Sequence, residues 1–165
     1  MKKRFVSLLV ALSITLTFLP MGAVAAAPIK FTDGNLRYTV NADGKSVTVS
    51  GTSENPTQLT IGSSISDGNG KSYTVTKIGM GAFNNVRNTL TEVTLPPTLD
   101  EIEDSAFFKC SSLTEITIPE GVTKIGTNAF YGCSQLTSIT IPSTIKNMDA
   151  AFPSNPKLSQ VTLTN

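Results

Sequence analysis

Most of this chain follows no single hydrophobic period; its apolar positions repeat a longer skeleton that recurs after 23 and then 22 residues. Ile116 to Ser138 reads ITIPEGVTKIGTNAFYGCSQLTS, between Val93 to Glu115 (VTLPPTLDEIEDSAFFKCSSLTE) and Ile139 to Gln160 (ITIPSTIKNMDAAFPSNPKLSQ). Residues between the fixed apolar positions vary freely, so the skeleton serves packing and the rest faces water. Each copy opens on alternating apolar and polar residues, which predicts a short strand. Pro96, Pro119 or Pro142 follows, has no N–H to donate, and ends the ladder. A second inward pair comes next: Leu99 and Ile102, Val122 and Ile125, Ile145 and Met148. The most regular residues are Ala82-Phe83, Ala106-Phe107, Ala129-Phe130 and Ala151-Phe152. They predict a short helical turn with Phe as the largest inward side chain.

Upstream, residues 28–51 alternate with period two. Leu36, Tyr38 and Val40 share one face, Asp43-Gly44 supplies a tight turn, and Val47 and Val49 return, which predicts a β-hairpin. Ile29 and Phe31 suit a further strand before Asp33-Gly34. Because an array cannot leave its first layer open, residues 26–56 are read as an N-terminal cap. Residues 52–57 connect it to a first array strand at Leu59 to Ile61. An irregular copy follows, in which residues 66–71 (SDGNGK) form a turn. The array occupies residues 57–165, with regular repeats at 93–115, 116–138 and 139–160 and a partial repeat at 161–165.

Leu90-x-x-Val93-x-Leu95, Leu113-x-x-Ile116-x-Ile118, Leu136-x-x-Ile139-x-Ile141 and Leu158-x-x-Val161-x-Leu163 match the L-x-x-L-x-L strand signature of leucine-rich repeats. The fuller skeleton I-T-I-P-x-x-V-x-x-I-G-x-x-A-F-x-G-C-x-x-L-T-x resembles the BspA-like leucine-rich repeats of bacterial surface and secreted proteins, over about Leu59 to Asn165. The resemblance implies a right-handed β/α solenoid of about 23-residue repeats, with parallel strands, short helical turns and a β-hairpin cap. It also implies adhesion or binding of host or matrix proteins.

Residues 1–25 stand apart. Lys2, Lys3 and Arg4 precede an apolar run from Phe5 to Phe18, then Pro20 and Ala23-Val24-Ala25, the pattern of a signal peptide cleaved after Ala25. The run is too short to span a bilayer, so no membrane span is expected after cleavage. Cleavage would leave ten basic against twelve acidic residues, a net charge near −2. With no basic stripe, nucleic acid is not an expected partner.

The sequence contains no His, which removes Ser-His-Asp and Cys-His catalysis and the commonest transition-metal ligand. No catalytic residue, cofactor or metal site is assigned. Cys110 and Cys133 align with Val86 and Asn155, which suggests a small apolar inward slot and free buried thiols, with a disulfide as the alternative. Asp100, Glu101, Glu103 and Asp104 form the one dense acidic run, read as a solvated face in preference to a Ca²⁺ or acid/base site.

The outward strand positions remain: Glu92, Thr94, Glu115, Thr117, Ser138, Thr140, Gln160 and Thr162. This polar stripe suits β-propensity and solubility, and it is also the candidate binding face, since a solenoid sheet is a broad, rigid surface. Phe108 and Tyr131 are candidate aromatic anchors. The reading is therefore a secreted or cell-surface binding module without an active site, taking an extracellular protein ligand, with a glycan as the alternative. The last strand presents an open edge, for which end-to-end self-association or fraying is expected.

Overall fold

The computed structural model describes residues 27–148 and 150–164. The expected leader, residues 1–25, therefore lies outside the described residues. Strands form where polar-apolar-polar triplets place one residue inward. These are β4 (Gln58–Thr60), β7 (Glu92–Thr94) and β9 (Glu115–Thr117), with the longer β11 (Ser138–Pro142) and β12 (Gln160–Thr164). They pair in parallel as β4-β7 and as β9-β11-β12.

A second sheet was not foreseen from the sequence. The antiparallel strands β1 (Lys30–Asp33), β2 (Leu36–Val40) and β3 (Ser46–Thr52) continue in parallel into β6 (Ser72–Ile78), β8 (Glu101–Ile102) and β10 (Lys124–Ile125). β5 (Ser64–Ser66) folds back on β6 through the Asp67-Gly68-Asn69-Gly70 turn. Thus Ile102 and Ile125, the second inward residues of their repeats, lie on strands that carry on the sheet begun by the hairpin. The turn at Asp43-Gly44 has the geometry its residues suggest: Gly44 has φ 62°, and the Asp43 carboxylate accepts the N–H groups of Lys45 and Ser46 at 2.9 Å.

Between the sheets runs one apolar core. Its spine is a stack of Phe83, Phe107, Phe130 and Phe152, with centroids 4.7, 4.9 and 5.1 Å apart.

The expected helical turns are not helices; among the described residues there are none. Equivalent residues Gly81, Ser105, Asn128 and Ala150 have φ of 61°, 57°, 56° and 50°, and one left-handed residue breaks a right-handed helix. The N–H groups are also committed elsewhere. Those of Phe83, Phe107 and Phe130 donate to the carbonyls of Ala106, Ala129 and Ala151 in the next copy, at 3.1, 2.8 and 2.8 Å. A helix would turn these donors inward on its own segment; here they bind one repeat to the next.

Three inward assignments fail toward the C-terminus. Met148 is 42% exposed, and Val161 and Leu163 are 55% and 70% exposed. Their equivalents in internal copies, such as Ile102, Ile116 and Ile118, are buried, whereas Val161 and Leu163 lie on the edge strand of their sheet, paired on one side only among the described residues. β12 is nonetheless fully registered on β11, from Ser138↔Gln160 to Pro142↔Thr164.

Candidate binding face

Strand register arranges the outward side chains in two rows. Glu115, Ser138 and Gln160 align in one, and Thr117, Thr140 and Thr162 in the other. On the other segment, Gln58 aligns with Glu92 and Thr60 with Thr94. Ser138 and Thr140 are half-buried, and the other six predicted residues are exposed. Gln58 and Thr60 were missed in the sequence, although Gln58-Leu59-Thr60 repeats the pattern of Glu92-Val93-Thr94.

The face is interrupted. β7 and β9 are neighbours, yet no strand pairing joins them. A cleft of about 360 Å³ opens at this joint, lined by Glu92, Thr94, Glu115 and Thr117 with Val93, Leu95, Ile116, Pro97 and Pro119. Four of the eight predicted face residues therefore share one concavity. Gln58 Nε2 donates to Glu92 Oε2 at 2.9 Å.

Phe108 and Tyr131 lie in the turns rather than on the strands. Their rings stack on each other at 5.1 Å and 13°, with Lys109 Nζ 5.4 Å from the Phe108 centroid. Both are half-buried, so much of each ring is occupied by its neighbour.

The acidic run is distributed across repeats. Glu101 binds Lys77 and Lys124, each at 2.6 Å; Glu103 Oε2 accepts the Met80 N–H at 3.0 Å. Asp104 Oδ1 accepts the Thr127 N–H, and Asp100 Oδ1 the Thr123 hydroxyl. Each carboxylate thus ties its copy to a neighbouring one. Burial pushes the Glu101 carboxyl up, but the hydrogen bonds from Lys124 and Lys77 with their charges outweigh it and leave the group below its ordinary value.

The cysteines are free and buried. Burial pushes both thiols up, Cys133 to about 12 and Cys110 further. Their slot is not simply apolar. Cys133 Sγ donates to the Phe107 carbonyl at 3.2 Å, and in the next copy Asn155 Nδ2 donates to the Phe130 carbonyl at 3.0 Å. Cys133 and Asn155 can occupy equivalent positions because each reaches the carbonyl of the Phe one copy before it.

The family profile of the BspA type leucine rich repeat region matches residues 63–165 in six copies. The chain belongs to this family. Among solved structures, this BspA-type array is similar to a leucine-rich repeat protein from Bacteroides capillosus, with 30% identity and TM-score 0.75 over 82% of this chain and 99% of that one. It is also similar to a leucine rich cell surface protein from Faecalibacterium prausnitzii, with 30% identity and TM-score 0.66 over 84% of this chain. It spans 43% of that protein's length. A T. pallidum leucine rich repeat protein shares the fold at 24% identity and TM-score 0.65, covering 80% of this chain and 71% of that one. No curated protein matches the chain. Among the described residues, no helix of the array is long and apolar enough to cross a membrane.

Proposed function

We propose that this BspA-type array is a binding module for an extracellular protein ligand, secreted or displayed at the bacterial cell exterior, and that it takes its ligand on the strand face from Gln58 to Thr162. One observation carries the reading: two rows of mostly exposed polar side chains, held in strand register, are interrupted by a cleft that gathers four of them. Because the inward residues do the packing, these outward side chains are available to a partner. The similar cell-surface protein from Faecalibacterium supports the location. In this reading residues 26–56 cap a right-handed solenoid of about 23-residue repeats, and cleavage near Ala25 releases the array from its leader. The module uses no cofactor and performs no catalysis.

The glycan reading needs open aromatic platforms, and the mutual stacking of Phe108 and Tyr131 takes up much of the surface they would offer. Binding of the mature chain to a panel of host and matrix proteins, lost on Thr117→Lys with Thr140→Lys, supports the protein-ligand reading. Binding confined to a glycan array and abolished by Tyr131→Ala would replace it.

A further inference from the structure

At the joints on either side of the cleft, neighbouring copies are closed by a hydrogen bond just after the strand. The Ile61 N–H donates to the Thr94 carbonyl at 3.0 Å, and the Ile118 N–H to the Thr140 carbonyl at 2.9 Å. No equivalent bond joins the Leu95 N–H to the Thr117 carbonyl among the described residues. At the entrance to the same joint, the Thr114 N–H reaches the Thr91 carbonyl at 3.4 Å, against 2.9 Å for Thr137 to Thr114 one copy later. The open joint is therefore local to β7 and β9.

What distinguishes it is charge. Glu92 and Glu115 occupy the same position in their triplets and flank the break, whereas Glu92 meets Gln58 on its other side and Glu115 meets Ser138. Like charges opposite each other on adjacent strands are destabilising. Among the described residues no cation neutralises the pair: Gln58 is uncharged, and the Glu115 carboxylate makes no hydrogen bond or ion pair. Both are exposed. Beneath them the cleft is walled by Val93, Leu95 and Ile116 and by the two prolines.

We propose that this cleft receives the cationic side chain, arginine or lysine, of the extracellular polypeptide ligand; the inference rests on the strand face being the ligand surface. Charge complementarity selects the occupant. A cationic head would lie between two carboxylates that no described cation neutralises, and its aliphatic stem would lie along the apolar walls. Arginine fits best, because its planar fork offers several donors to two separate acceptors. A bare Ca²⁺ fits poorly: it takes six to eight oxygen ligands and would leave the apolar walls unused. The occupant also explains why the chain tolerates an unclosed joint, since a preformed acidic slot exists only while the two strands stay apart.

The test titrates the nitrogen-15-labelled mature chain with N-acetyl-glycyl-arginyl-glycinamide, and in parallel with its citrulline counterpart, which keeps the shape and loses the charge. The expected result is saturable shifts confined to amides of residues 92–95 and 115–117, with the citrulline peptide about tenfold or more weaker. Glu92→Gln and Glu115→Gln, at exposed positions, should each weaken the arginine peptide similarly, and salt at about 0.5 M should do the same. Absent or scattered shifts, equal binding of citrulline, or no effect of either Glu→Gln variant would overturn the proposal. Thr140→Lys and Thr162→Lys lie outside the cleft and separate the two readings. If they abolish protein-ligand binding while the arginine peptide fails, the strand face stands and the cleft assignment falls; if the peptide binds but these variants leave ligand binding intact, the broader face reading falls.

Discussion

The rings of Phe107 and Phe130 lie nearly parallel, 4.9 Å apart between centroids and 6° between planes. Both are fully buried, and each is the largest inward side chain of its copy. Phe130→Ala should cost about 3 to 5 kcal/mol, through lost burial and an unfilled cavity. Phe152→Ala, at a half-buried position, should cost less. Urea denaturation with the slope held fixed measures both, and equal midpoints for the two variants would contradict the stacked core.

Gly126 has no room for a side chain. A Cβ there would lie 2.5 Å from the Asp104 backbone nitrogen and 2.7 Å from the Glu103 carbonyl carbon. Gly126→Ala should therefore lower stability by about 1 to 3 kcal/mol. It should also weaken the bond from the Thr127 N–H to Asp104 Oδ1, seen as faster exchange of the Thr127 amide.

Lys109 holds φ 56° where the next copy has Gly132 at 67°. Left-handed backbone costs a side-chain-bearing residue about 1 kcal/mol or more. Lys109→Gly should raise the thermal midpoint by a few degrees, provided that the 2.7 Å bond from its N–H to the Tyr131 carbonyl persists. A lowered midpoint would show that the lysine stem contributes more than the strain removes.

The thiols give a pH signature. Their ordinary value is 9.0, and in the folded chain Cys133 is raised to about 12 and Cys110 further. Above pH 9 the unfolded chain releases thiol protons that the folded chain keeps, so unfolding is favoured as pH rises. The thiol contribution is complete below pH 9 and declines from there through about 12, by about 1.4 kcal/mol per pH unit for each thiol. Tyr38, raised by burial and by Asp33 from 10.0 to about 12, adds to the decline above pH 10. A Cys110→Ala, Cys133→Ser variant should show a shallower alkaline loss by chemical denaturation, and an unchanged slope would contradict the buried-thiol account.

Much of this was legible in the chain because a repeat aligns its own evidence. The strand triplets, Phe130 and its equivalents, and the Asp43-Gly44 hairpin follow from residue type and spacing. The second sheet was not legible: Glu101–Ile102 and Lys124–Ile125 are two residues long, too short to show alternation. Helical turns were expected because Ala and Phe carry no mark of left-handed backbone. Ser105 and Ala150 adopt it with no such tendency, leaving Gly81 and Asn128 as the signals at that position. The donor role of the cysteine slot was hidden because the target is a backbone carbonyl, although Asn155 at the same position was the clue. At the candidate face, the stripe was readable from alternation. The cleft was not, since it arises from a bond that is not made between Leu95 and Thr117 and from two glutamates brought together only by stacking.

Whether ligand is taken on the strand face is read from one protein ligand's affinity for three forms of the mature chain. These are the natural sequence, the Thr117→Lys, Thr140→Lys variant, and Lys146→Glu, a charge change at an exposed residue away from that face. With ligand on that face, the double variant loses affinity by at least about tenfold, or about 1.4 kcal/mol, while Lys146→Glu binds as the natural chain does. Undiminished binding by the double variant, with loss on Lys146→Glu, would place the ligand on another surface and rule out the strand face.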